Sequence, residues 1–182
     1  MNAKTQSMPF DPEALGRKYQ EERDKRLRAD GNDQYQEVTG EFAYFVEDPY
    51  IDTELKRQAI EEEVEVVIIG GGFGGMLAAA RLHDAGITDF KIIEKGGDFG
   101  GTWYWNRYPG ASCDIEAYVY FPLLEKTGFV PKQKYTNAPE TLEYCHVIAK
   151  TYGLNERALM QTLVTSTDWA EEQGRWMVST DR

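Results

Sequence analysis

Five glycines lie within the six residues from Gly70 to Gly75, and Gly70, Gly72 and Gly75 hold the first, third and sixth places of that run. These residue types at this spacing suit the holding of a pyrophosphate. Gly70 permits a tight turn out of a strand. Gly72 has no side chain, so phosphate oxygens can approach the backbone closely. Gly75 lets a following helix pack against the preceding strand. The free N–H groups of that helix start, with the positive end of its dipole, meet the phosphate charge. Phe73 sits inside the loop. Glu94 follows Gly70 by 24 residues, near the spacing at which an acid accepts from ribose hydroxyls. Glycine-rich turns are common, and alone this one would say little. With its flanking elements and the placed acid it reads as a dinucleotide site.

Those elements are legible. Val66-Val67-Ile68-Ile69 is a short apolar run of strand type. Met76 to Leu82 is rich in alanine, and Ala79 keeps a helix-to-strand contact thin. Phe90-Lys91-Ile92-Ile93 reads as a second strand ending at Glu94. Strand, glycine turn, helix and strand make a βαβ unit, which predicts an α/β fold of Rossmann type with a parallel sheet. A second glycine-rich stretch, Lys95 to Gly101, lacks glycines at the required places and no amphipathic helix follows it. It reads as a loop crossing the cofactor.

Thr102-Trp103-Tyr104-Trp105-Asn106-Arg107 comes next, and Tyr108-Pro109-Gly110 marks a turn. Two accounts stand side by side here: a buried aromatic corner, or a wall for a flat ring system with Thr102 and backbone contacts to it. Ser112-Cys113-Asp114-Ile115-Glu116 places two acids near that wall, where acids are as a rule surface charges. Tyr118, Tyr120 and Phe121 extend the aromatic region.

Composition narrows the function. The chain has 182 residues, 41% of them hydrophobic, enough for one domain with a core and an appended arm. A net charge of −11 argues against nucleic acid and against anionic membrane surfaces as partners. Cys113 and Cys145 are too few for a disulfide scaffold and have no metal spacing, so reduced thiols are expected. No apolar run is long enough to span a membrane, and the polar N-terminus lacks a signal-peptide core; the cytoplasm is the expected location.

Residues 1 to about 9 are expected to be a disordered tail. Asp11 caps a predicted helix that starts at Pro12, runs to about Ala29 and ends at Gly31. It is highly charged, with Leu15, Tyr19 and Leu27 as its few apolar contacts, and reads as laid on something larger. Gly40 to Tyr50 is aromatic, and a second helix is predicted from Asp52 to about Glu62. Residues 1–62 are thus expected to be a helical extension and 63–182 the Rossmann-like domain. A helix is predicted from Pro139 to Tyr152, with Leu142, Cys145, Ile148 and Ala149 on one face. His146 reads as surface or packing with nothing nearby to make it a ligand or base, and His83 as structural. Leu159–Thr165 and Trp176–Ser179 read as strands joined by a turn at Glu172–Arg175.

Taken together, Gly70-x-Gly72-x-x-Gly75, then Gly100-Gly101-x-Trp103, four residues, Tyr108-Pro109-Gly110, three residues and Asp114 resemble the N-terminal part of a type I Baeyer–Villiger monooxygenase. The second motif is matched at every fixed position. The extension from Arg28 to Tyr35 is similar to the arm of members acting on large cyclic ketones. The resemblance implies FAD on the first glycine loop and NADPH as its reductant. It implies insertion of one oxygen atom of O₂ beside a ketone carbonyl, giving an ester or lactone. It also implies roles for individual residues. Gly70, Gly72, Phe73 and Gly75 match the pyrophosphate loop, and Glu94 the ribose acid. Gly101, Thr102, Trp103, Trp105, Ser112 and Cys113 match cofactor-lining segments. Asp114 matches the aspartate that organises nicotinamide and the catalytic arginine, and Tyr120 a flavin-contacting tyrosine. Val164 matches a strand residue whose backbone meets the adenine.

The family's F-x-G-x-x-x-H-x-x-x-W-P signature, its second glycine loop and its arginine have no counterpart in the sequence. The chain is therefore expected to be a fragment that cannot turn over alone. Other flavin monooxygenases that oxygenate nitrogen or sulfur, a dehydrogenase using Glu94 on the ribose, and a flavin-binding remnant remain as alternatives.

Overall fold

The structure is a computed structural model that describes residues 10–53 and 55–182. The expected tail, residues 1–9, lies outside the described residues. The chain divides into two compact units, Met1–Glu47 and Asp48–Arg182.

In the first unit, α1 spans Pro12–Asp24. The Asp11 carboxylate accepts from the Glu13 N–H at 2.9 Å, and Pro12 occupies the first turn. The helix ends short of the predicted Ala29. The Arg28 guanidinium grips Asp30 at 2.8 and 2.5 Å, and residues two apart do not face each other on a helix. That ion pair belongs to a turn, and a 3₁₀ turn follows over Gly31–Gln34. The aromatic stretch forms another, Gly40–Val46.

The second unit holds the βαβ core. β1 (Val66–Ile69), β2 (Phe90–Ile93) and β3 (Ala158–Leu159) form a parallel sheet in that order, with Ile68 opposite Ile92 and Ile92 opposite Ala158. α2 (Phe73–Asp84) crosses between β1 and β2, and its Met76, Ala79 and Ala80 are fully buried. The alanines are small because helix and sheet must close tightly there. Three short helices follow, α3 (Thr102–Trp105), α4 (Ala117–Tyr120) and α5 (Leu124–Thr127). The long α6 (Ala138–Thr151) buries Tyr144, Cys145, Ile148 and Ala149. These residues join Ile68, Phe90, Ile92 and Phe99 in one core cluster. β4 (Val164–Ala170) and β5 (Arg175–Thr180) make a separate antiparallel hairpin.

Two predicted elements are corrected. No described residue between Asp52 and Glu62 is helical. The segment is held in non-helical form by distant partners. The Leu55 N–H donates to Gln161 Oε1 at 2.7 Å, the Arg57 guanidinium to Thr162 Oγ1 at 3.1 Å, and Lys91 Nζ lies 3.1 Å from Glu62. The strand expected over Leu159–Thr165 is two strands with a bend between. Gln161 there has φ +50°, and the Thr162 N–H donates back to Glu94 O at 2.9 Å. The hairpin turn comes one residue early, with Gly174 at φ +61° closing it. Only a single helical turn, α3, follows the second glycine-rich stretch.

Candidate functional site

The glycine turn begins where β1 ends. Gly70 has φ +100° and its N–H donates to Ile93 O at 2.8 Å, tying the turn to the end of β2. At Gly75 an added Cβ would lie 1.9 Å from Gly70 O, so only glycine lets the first turn of α2 sit against the loop. No side chain caps α2. The first N–H groups of an α-helix have no intrahelical partner, so a phosphate has donors to meet here.

The second glycine motif closes on the first. The Gly100 N–H donates to Gly71 O at 3.0 Å. A Cβ on Gly101 would lie 2.8 Å from the Gly72 Cα. Thirty residues of sequence thus fold so that two side-chain-free backbones face each other. The residues present fit a dinucleotide whose phosphates need close backbone approach.

Glu94 is 5% exposed and stands behind the turn. Its Oε2 accepts from the Gly71 N–H at 2.5 Å and its Oε1 from the Gly96 N–H at 2.7 Å. The carboxylate therefore knits both glycine loops together. Each oxygen keeps a second lone pair for a further donor.

The aromatic stretch is a packed wall. Trp103 and Tyr104 are buried, whereas Thr102 is exposed and Trp105 half-buried. The Trp103 indole N–H donates to the Tyr120 hydroxyl at 3.0 Å, with the rings edge to face at 5.9 Å. Phe73 meets Tyr120 edge-on at 5.5 Å. Burial pushes the Tyr120 phenol up from its ordinary pKa, while the bond from Trp103 pulls it down; Cys113 and Cys145 add to the rise. Phe73, Trp103 and Tyr120 are thus brought together, with Cys113 packed in the same cluster as Trp103. The buried-corner account holds for Trp103 and Tyr104, and it leaves Trp105 and Thr102 at the surface.

Ala111 to Cys113 is fastened to the start of α6. The Cys113 N–H donates to Thr136 O at 2.9 Å, the Ala138 N–H to Ala111 O at 2.8 Å, and Ser112 bridges Asn137. A cleft of about 780 Å³ opens here, lined by Trp103, Tyr108, Ser112, Leu142 and His146 among others. Asp114 is exposed, with no side-chain hydrogen bond or ion pair among the described residues. Glu116 instead pairs with Lys134 at 2.6 Å. Val164 opens β4 half-buried and opposite Thr180, two residues beyond the Thr162–Glu94 bond.

Two arrangements have no local signal in the sequence. His146 Nε2 lies 3.0 Å from Asp98 Oδ2, so the imidazole has an acidic neighbour that spacing gave no hint of. Asp48 Oδ2 accepts from the Gly97 N–H at 2.9 Å and from the Tyr104 hydroxyl at 2.7 Å. Both pairs join residues some fifty positions apart. Among the described residues no cluster of His, Cys, Asp and Glu is suited to a metal, and no helix is long and apolar enough to cross a membrane.

Strand, glycine turn, helix and strand with an acid behind the turn define a Rossmann-like dinucleotide-binding fold. The family described as NAD(P)-binding Rossmann-like domain matches residues 68–127. Over nearly its whole length the chain is similar to the N-terminal part of Baeyer–Villiger monooxygenases. It is 50% identical over 173 residues, 94% of the chain, to neopentalenolactone D synthase of Streptomyces avermitilis. It is 48% identical over 179 residues, 98% of the chain, to a Baeyer–Villiger monooxygenase of Stachybotrys chlorohalonatus. The chain spans 29% of the length of each of these relatives. Among solved structures, the polycyclic ketone monooxygenase from Thermothelomyces thermophila aligns with a TM-score of 0.81 at 38% identity, covering 92% of this chain and 28% of that one. OTEMO, solved in complex with FAD and NADP, aligns with a TM-score of 0.61 at 32% identity, covering 65% and 22%.

Proposed function

We propose that this chain is the FAD-binding part of a Baeyer–Villiger monooxygenase that uses NADPH and O₂ to convert a cyclic ketone to an ester or lactone in the cytoplasm. Residues 63–182 form the binding part, and 1–62 form an extension whose end, from Asp48, packs with it. The observation that carries the reading is the meeting of Gly72 with Gly101. It brings the pyrophosphate turn and the monooxygenase motif into one site. The relatives' names and the FAD-bound structural neighbour support the same assignment.

Bound FAD supplies the redox chemistry and the reaction with O₂. The chain's own residues hold and orient it. Gly70, Gly72 and Gly75 give the backbone approach, and the start of α2 presents N–H groups to the pyrophosphate. Glu94 accepts from the adenosine ribose hydroxyls. Its negative charge disfavours the 2′-phosphate of NADPH, so NADPH binds elsewhere. Phe73, Trp103 and Tyr120 give a wall fixed by the indole–phenol bond, with Trp105, Thr102, Ser112 and Cys113 along the same run. The backbone at Val164 borders the adenine end. Asp114, exposed and unpaired among the described residues, is available to a guanidinium brought by another segment.

The test is the absorbance spectrum of the purified chain after FAD is added and excess is removed by gel filtration. A retained, structured flavin absorbance band in the visible is expected of bound FAD. A folded chain that retains none contradicts the assignment.

A further inference from the structure

Segment 95–101 is held from several sides. Glu94 holds Gly96, whose carbonyl in turn accepts from the Gln161 N–H at 2.9 Å, His146 meets Asp98 at 3.0 Å, and Gly71 O holds Gly100. The anchor on Gly97 comes from Asp48, which lies 49 residues before it. Its two carboxylate oxygens divide the work. Oδ1 accepts from the Tyr50 N–H at 2.9 Å and fixes the Asp48-Pro49-Tyr50 turn, a local Asx arrangement. Oδ2 reaches across to the Gly97 N–H at 2.9 Å and the Tyr104 hydroxyl at 2.7 Å, while the same Gly97 N–H lies 3.0 Å from that hydroxyl. Tyr104 is 3% exposed and Asp48 half-buried, so this bond is partly shielded from water.

The contacts around the triad are tight. A Cβ at Gly97 would lie 2.4 Å from Ile51 Cγ2. Tyr50 donates to Trp105 O at 3.2 Å and meets Tyr104 edge-on at 5.7 Å. The Arg107 guanidinium stands 4.0 Å from the Tyr50 ring centre and 4.7 Å from that of Tyr104, and its Nε donates to Tyr104 O at 2.8 Å. Segment 48–51 is therefore a strap over the loop and over α3.

We propose that Asp48 is a positioning residue for cofactor binding. Through Gly97 and Tyr104 it sets the loop that brings Gly101 against Gly72. This rests on the reading that Gly101 and α3 lie along FAD. The role needs an acceptor that serves two donors and a local N–H at once, which a carboxylate does and a methyl group does not.

The test compares the full chain with Asp48→Ala, Asp48→Asn, Tyr104→Phe and the Asp48→Ala/Tyr104→Phe double variant. Amide exchange of Gly97–Gly101 is read without FAD, and FAD affinity by quenching of flavin fluorescence. Asp48→Ala is expected to speed exchange at Gly97 and weaken FAD, each on the order of ten-fold. Asp48→Asn, whose single amide oxygen can still serve Gly97 and Tyr104 but leaves the Tyr50 N–H facing an NH2 group, recovers part of both. The double variant loses little more than the worse single variant, as coupled groups do. Unchanged exchange and affinity in Asp48→Ala overturn the proposal. So does equal loss in Asp48→Asn and Asp48→Ala in step with a fall in melting temperature, because that marks a merely structural residue. A wild-type chain that takes up no FAD overturns the functional reading instead, and the FAD-free exchange rates then decide the strap alone.

Discussion

Gly75 and Gly74 are neighbours with opposite demands. A Cβ at Gly75 would strike Gly70 O at 1.9 Å, whereas one at Gly74 meets nothing within 4 Å. Gly75→Ala is expected to destabilise the chain by about 3 kcal/mol, the upper range for overpacking, and to abolish FAD retention. Gly74→Ala is expected to gain roughly 0.5 kcal/mol from helix propensity. Urea unfolding of both variants measures the contrast. The importance of Gly75 was legible from its place in the motif; that of Gly101 was legible only by resemblance, because its partner Gly72 lies far away in sequence. Titration belongs to the same scale. Burial pushes the Cys145 thiol up from 9.0 to about 12. Burial and then the bond to Asp48 push the Tyr104 phenol up to about 12. In both cases the folded state favours the neutral form, so the unfolded chain releases its proton first. Their stabilising contribution is full below about pH 9 and is lost as pH rises toward about 12. Urea midpoints measured from about pH 8 to about pH 10.5 should fall, and Cys145→Ala should flatten that fall. A flat profile in the wild type contradicts this account.

The elements that were legible are those whose signals are local. The strands of the βαβ unit announced themselves by short apolar runs, α2 by its alanines, and α6 by apolar residues at helical spacing. α6 also carries its own start signal. Asn137 Oδ1 accepts from the Glu140 N–H at 3.0 Å, and Pro139 sits in the first turn. Asn137→Ala is expected to lower stability by about 1 kcal/mol, read from thermal unfolding, and to loosen Ser112 across the bridge. The missed elements are those set by distant partners. Residues 55–62 contain helix formers, yet Gln161, Thr162 and Lys91 claim their backbone and side chains. The bend at Gln161 likewise depends on Glu94 and Gly96, whose carbonyls accept from Thr162 and Gln161. No periodicity in 159–165 encodes that.

At the scale of the molecule, three parallel strands carry the site, and the hairpin stands apart from that sheet. β1 is an edge strand whose last residue, Ile69, is 58% exposed. A groove of about 880 Å³ lies between the hairpin and the strands, lined by Val67, Ile69, Ile93, Leu159 and Trp176 among others. An open apolar edge of this kind favours self-association. The isolated chain is expected to form concentration-dependent oligomers, and Ile69→Lys to reduce them, as sedimentation would show. In the proposed function the glycine turn with Glu94 behind it holds FAD, not NADPH. The most direct measurement is a pair of titrations of the purified chain, with FAD and with NADPH, each followed by calorimetry and repeated in Glu94→Gln. The account predicts FAD binding with NADPH weaker by at least about 1.4 kcal/mol, a tenfold difference, and a narrowing of that gap in Glu94→Gln as the repulsion of the 2′-phosphate is removed. NADPH binding as tightly as FAD in the wild type, or a gap untouched by Glu94→Gln, would contradict it.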